Sequence, residues 1–95
     1  MGNAAIGKMT LARELDIKAA GPLAADLLKA RGRDLSLNAS EIDRVGGQCL
    51  QVLLSAAATW TADGAELTLE EPSPAFLDAV RIAGLELTQF TARND

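Results

Sequence analysis

The sequence predicts an α/β fold: a small, mixed or mostly parallel sheet of four to five strands, with helices packed mainly on one face. Three observations carry this expectation. Short segments alternate apolar and polar side chains, as in Leu67 and Leu69 against Thr68 and Glu70, which is the two-residue period of a half-buried strand. Between such segments, apolar residues recur three and four apart, the period of an amphipathic helix; the strongest set is Leu50, Leu53, Leu54, Ala57 and Trp60. The two kinds of segment alternate as strand, helix, strand, helix, strand, helix, strand, and right-handed crossovers then join parallel neighbours. Ninety-five residues suffice for one domain with one core, so residues 1–95 are read as a single domain with its core at about 9–90. So short a chain leaves few residues to cover both faces of a sheet.

In order, residues 1–7 are small and weakly patterned, a lead-in or a short edge strand. Residues 8–16 read as one strand with Met9, Leu11 and Arg13 on a common side. A loop then runs into Pro22, placed as the first helical residue because its missing N–H has no partner there anyway. The helix over 22–30 buries Leu23, Leu27 and Leu28, turns Asp26 and Lys29 to water, and ends at Gly32. Residues 34–39 form a strand through Leu35 and Leu37. The central segment follows: a glycine turn at 46–47, then the most apolar helix, with Gln51, Ser55 and Thr59 opposite its apolar stripe. Asp63-Gly64 is a turn signal, and 65–70 is the alternating strand already noted. Ser73 caps the next helix with Pro74 at its first position; Phe76, Leu77, Val80 and Ala83 form its apolar side, and Gly84 closes it. Residues 85–90 are a last strand or an extended tail.

Composition excludes several classes of function. An apolar fraction of 48% rules out wholesale disorder. Phe76, Phe90 and Trp60 are the whole aromatic set, so the core must be mostly aliphatic. The net charge is −4 with no cluster of Lys and Arg, so a nucleic-acid partner is not expected; Arg31 and Arg33 are only a pair at a helix end. Cys49 is the sole cysteine, which excludes an internal disulfide and leaves no metal-binding pair. No apolar run approaches eighteen residues and no signal peptide opens the chain, so no membrane span is expected and the cytoplasm is the default location.

The chain also lacks the usual means of catalysis. It has no histidine, the commonest acid–base residue and triad base. The carboxylate pairs Glu41/Asp43 and Glu70/Glu71 sit at a loop and a strand edge, where solvated acids are ordinary. Gly46-Gly47 precedes a helix, yet neither GxGxxG nor GxxxxGK is present. A tight turn in which a side chain would clash accounts for the two glycines; the helix start would also favour an anion or a partner's carboxylate. Cys49 adjoins the apolar stripe and reads as a small buried hydrophobe. No catalytic residue, cofactor or metal site is expected. What remains is a binding surface: Asp43, Arg44, Gly46, Gly47 and Gln48 of the loop, with Gln51, Val52 and Ser55 on the open side of the central helix.

Two segments carry a family resemblance. LARELDIKAAGPLAADLL is similar to the opening of STAS domains, a strand followed by Gly-Glu-Leu-Asp and a helix; Glu14, Leu15 and Asp16 match and Arg13 replaces the glycine. LSLNASEIDRVGGQCLQVLL resembles the strand, loop and helix in which that family reads Asp-Ser-Ser-Gly-Leu, with Leu50 at the leucine. The resemblance spans roughly residues 9–90 and implies a STAS-like, anti-anti-sigma-like protein-interaction module. In regulatory members a kinase phosphorylates a Ser or Thr of that loop. Here Gly46 falls on the preceding Asp and Gly47 on the hydroxyl position, so the phosphoacceptor is degenerate; Ser40 and Ser55 are the nearest serines. GGQCLQVLL and PSPAF resemble small STAS proteins encoded with bacterial chemotaxis genes, which implies a chemotaxis histidine kinase or an associated protein as partner. An anti-sigma kinase, or a lipid-transport ABC complex served as an accessory subunit, are the alternatives, and a weak homodimer is left open.

Overall fold

The computed structural model describes residues 7–93, so the lead-in expected before Gly7 lies outside the described residues. The elements run β1 (Gly7–Thr10), β2 (Glu14–Leu15), α1 (Ala20–Lys29), β3 (Leu35–Asn38), β4 (Arg44–Val45), α2 (Gly47–Asp63), β5 (Leu67–Glu70) and α3 (Pro74–Ile82). Short 3-10 turns occupy Ile17–Ala19 and Leu87–Phe90. Among the described residues five strands form, in number within the expected four to five, but β4 falls in a stretch expected to be loop. Every strand pairing is parallel, and the strands divide between a three-stranded sheet, β1-β3-β5, and a two-stranded ribbon, β2-β4.

Register sorts the sheet's side chains by period two. Met9, Leu37 and Leu69 lie in one cross-strand row and Leu35 and Leu67 in the next, all on one face. These residues join a single core with Leu23 and Leu27 of α1, Leu53 and Trp60 of α2, and Phe76 and Val80 of α3. The other face carries Lys8, Thr10, Ser36, Asn38, Thr68 and Glu70. Ser36 is nevertheless buried and Thr68 half-buried, because both sit on inner or partly covered strands.

Five local expectations need correction. Residues 8–16 are not one strand. The ladder with β3 ends where Leu11 N donates to Asn38 O, and the chain bends through exposed Ala12 and Arg13 before β2 pairs with β4 in the second sheet. Arg13 is therefore in solvent. Helix α1 begins at Ala20, behind a 3-10 turn whose Ala19 amide donates to the Asp16 carboxylate at 3.1 Å; Pro22 is its third residue, still within the turn whose amides lack helical acceptors. Leu28 is 63% exposed, since the buried stripe of α1 is Leu23 and Leu27 and residue 28 is rotated by about 100° from it. On α3, Phe76 and Val80 are buried while Leu77 and Ala83 are exposed. Finally, residues 85–90 are not a strand. Phe90 is drawn into the core edge-on to Phe76, with centroids 5.5 Å apart, and only Ala92 then bridges to Leu67, antiparallel.

The helix signals read from the sequence are otherwise in place. Ser73 caps α3, accepting from Phe76 N at 3.1 Å while its hydroxyl donates to Ile42 O at 2.6 Å. Gly32, Gly64 and Gly84 all take positive φ, although α1 itself is capped at Ala30.

Candidate functional site

The β2-β4 ribbon places the start of α2. Asp43 N and Arg44 N both donate to Arg13 O, at 2.7 and 3.1 Å, and Gly46 N donates to Leu15 O at 2.9 Å. Below, buried Ala39 and Ile42 tie the loop to the core, and Ser73 N donates to Ala39 O. The Arg13 guanidinium reaches the Asp43 carboxylate at 2.9 Å, but both side chains stand in water, so the pair contributes under about 1 kcal/mol. The ribbon's backbone bonds, rather than this ion pair, hold the loop.

Of the sequence-derived surface, Asp43, Arg44, Gly47, Gln48, Gln51 and Ser55 are exposed, and Gly46 and Val52 are half-buried. They follow one another along β4 and the first turns of α2. Val52 leans on the core and is not the free side chain expected from its position on the wheel.

The steric account of the glycine pair does not hold. Gly46, the N-cap, has φ −98° and ψ 170°, an ordinary extended conformation. A Cβ there would meet nothing nearer than Leu15 O at 3.7 Å, and at Gly47 it would meet nothing within 4 Å. The backbone tolerates side chains at both positions. The helix also starts without a side-chain cap, and its first two residues, Gly47 and Gln48, are exposed.

Cys49 is fully buried one turn in, and its thiol donates to Asp16 O at 3.3 Å. Burial pushes the thiol pKa up and the Asp16 charge adds to the effect, so the thiolate is disfavoured and Cys49 is a packing residue. Ser40 is exposed at the loop's beginning, its amide bonded to the Asn38 side chain. Glu70 and Glu71 stand exposed past β5, with Glu71 in the left-handed region at φ 50°. Among the described residues no group of three His, Cys, Asp or Glu side chains could hold a metal ion, and no helix is long and apolar enough to cross a membrane.

Sequence reasoning missed a groove of about 350 Å³ between α1 and α2. Ala24 and Leu28 form one wall, and Gln48, Gln51, Val52 and Ser55 the other, so half of the expected surface lines it. The signal was present in the spacing: Leu28 falls off the Leu23–Leu27 stripe toward α2.

A family model described as "Mlab, STAS domain" matches residues 3–88. No curated protein and no solved structure gives a significant match.

Proposed function

This chain belongs to the STAS domain family, whose members are non-catalytic regulatory modules that bind other proteins, and on that premise we propose a constitutive binder in bacterial signal transduction whose partner is a chemotaxis histidine kinase or a protein associated with it. One observation carries the reading: α2 begins with two glycines that the backbone does not require, at an exposed, uncapped helix start. Gly47 has no hydroxyl to take a phosphoryl group, so partner binding there is not switched by phosphorylation of that position. Residues 1–95 act as one domain. The working surface is the loop from Asp43 to Gln48 together with Gln51, Val52 and Ser55. The ribbon and the core hold this surface rigid before binding, which lowers the ordering cost of association. A partner other than nucleic acid agrees with the net charge of −4 and with the lack of a Lys/Arg cluster, and a cytoplasmic location agrees with membership of the family.

Affinity capture from the native cell tests this, comparing wild type with Gly47→Arg and Gln51→Arg. Both positions are exposed, so melting should be unchanged while capture of the kinase is lost; Val52→Asp would confound binding with stability, because Val52 is half-buried. Retention of the partner by both variants refutes the surface. Recovery of an anti-sigma kinase or of an ABC transporter subunit instead would replace the chemotaxis assignment. Incubation with the kinase and ATP should give no phosphoryl adduct by intact mass; an adduct on Ser40 or Ser55 would show a relocated switch.

A further inference from the structure

Resting on the protein-binding role above, we propose that the α1–α2 groove seats a helix of the partner whose buried face is uncharged. The shape of the groove selects a helix. Along α2 its wall is Gln48, Gln51, Val52, Ser55, Ala56 and Thr59, steps of three, one, three, one and three. That is the seam a further helix packs onto, and α1 with Leu28 supplies the second ridge. From Gln48 to Thr59 the seam runs about 17 Å, so the occupant needs about three helical turns. An open trough between two helices is the setting in which amphipathic helices bind through anchors at such spacings.

Charge selects the face. In a chain that is 23% charged and carries −4 overall, no ionisable side chain lines the groove. From Gly47 to Ala62, α2 bears no charge at all. A partner Lys, Arg, Asp or Glu buried here would lose its hydration with no counter-charge to replace it. Neutral groups fare better: Leu28 and Val52 offer apolar contact, while the amides of Gln48 and Gln51 and the hydroxyls of Ser55 and Thr59 can hydrogen-bond at the rim. The charged Asp43–Arg44 loop lies beyond the α2 start and would meet a different part of the partner.

The test uses the whole chain and blocked helical peptides of about sixteen residues. Each peptide carries a Leu/Ala stripe at three–four spacing; its flanks are Gln and Ser, or Glu, or Lys. Amide shifts in the labelled protein should move at Leu28, Gln51, Ser55 and Thr59 with the neutral peptide, and its affinity should change less than about twofold from low to high salt. The Glu and Lys peptides should bind about tenfold or more weaker, and Leu28→Asp should weaken the neutral peptide about tenfold with melting unchanged. Leu28→Gln, which adds no charge, should lose several-fold and separate lost contact from introduced charge. Unmoved groove amides, equal binding of the charged peptides, or indifference to both Leu28 variants would overturn the inference. So would a dimer in sedimentation that Leu28→Asp dissolves, since a second copy would then be the occupant. If the native partner is lost with Gly47→Arg but kept by Gln51→Arg and Leu28→Asp, the inference falls while the protein-binding role stands; if all three variants keep it, the inference and the proposed surface both fall.

Discussion

The two ends of α2 begin and finish with glycine, but only one end needs it. At the C-terminal end Gly64 sits at φ +71°, a left-handed conformation that costs an L-residue about 1–2 kcal/mol, and its amide donates to Thr61 O at 3.1 Å. Around it the chain is tied down: the Trp60 indole donates to Arg33 O at 2.8 Å, and the Arg31 guanidinium forks onto the Asp63 carboxylate at 2.8 and 3.1 Å. At the N-terminal end Gly46 and Gly47 have ordinary backbone angles and free space around them, with no side-chain cap. The same residue type is a structural demand at one terminus and an unforced choice at the other. The unforced end is the exposed one, beside the groove, and it is the end proposed above as the binding surface.

The largest expected break in this contrast is Trp60→Ala. Trp60 is 1% exposed, and truncation leaves a large cavity and orphans Arg33 O, so a loss of about 3–5 kcal/mol is expected in denaturant unfolding. A loss below about 1 kcal/mol would mean that this end of the helix is not the fixed one. Gly64→Ala comes next, at about 1–2 kcal/mol, from forcing a Cβ into the left-handed region.

Asp63→Asn should act more weakly and with a pH signature. Its hydrogen bonds from Arg31 hold the Asp63 carboxyl below the ordinary carboxylate range, and partial desolvation opposes this. A depressed folded-state pKa means the contribution is present above the unfolded value and fades as pH falls through the folded one. The variant should therefore melt below wild type at neutral pH, and the gap should close as pH drops below about 3.9. A gap that persisted in acid would assign the effect to packing.

The smallest effect sharpens the comparison most. Gly46→Asp and Gly47→Ser should change stability by no more than about 0.5 kcal/mol, toward stabilisation, because an N-cap carboxylate and a residue with better helix propensity both help a helix start. A loss above about 1 kcal/mol in chemical denaturation would restore the steric explanation of the glycine pair.

Much of the fold was legible in the chain. Ser73-Pro74 announced the start of α3, Gly64 the end of α2, and the Leu67–Leu69 alternation the strand β5, because each signal acts within a few residues of itself. The burial of Cys49 followed from its place beside the Leu50–Leu53 stripe. The break after Thr10 was hidden, since KMTLARELD keeps a period near two while its halves pair with strands far apart in sequence. Phe90 likewise looked like part of a strand, and its packing against Phe76 supplied the turn.

Sequence by itself determined the α/β class and the stripes that bury α1 and α2. It also determined the lack of histidine and the lack of a hydroxyl at Gly47, all properties of single residues or of local period. Only the tertiary structure decided that Gly46 and Gly47 have room for side chains, that Leu28 stands in solvent and that Val52 leans on the core. It alone opened a neutral groove between α1 and α2. The physical reason is that a helical period names the face that must be buried, whereas the space left beside that face is set by neighbours that approach from elsewhere in the chain.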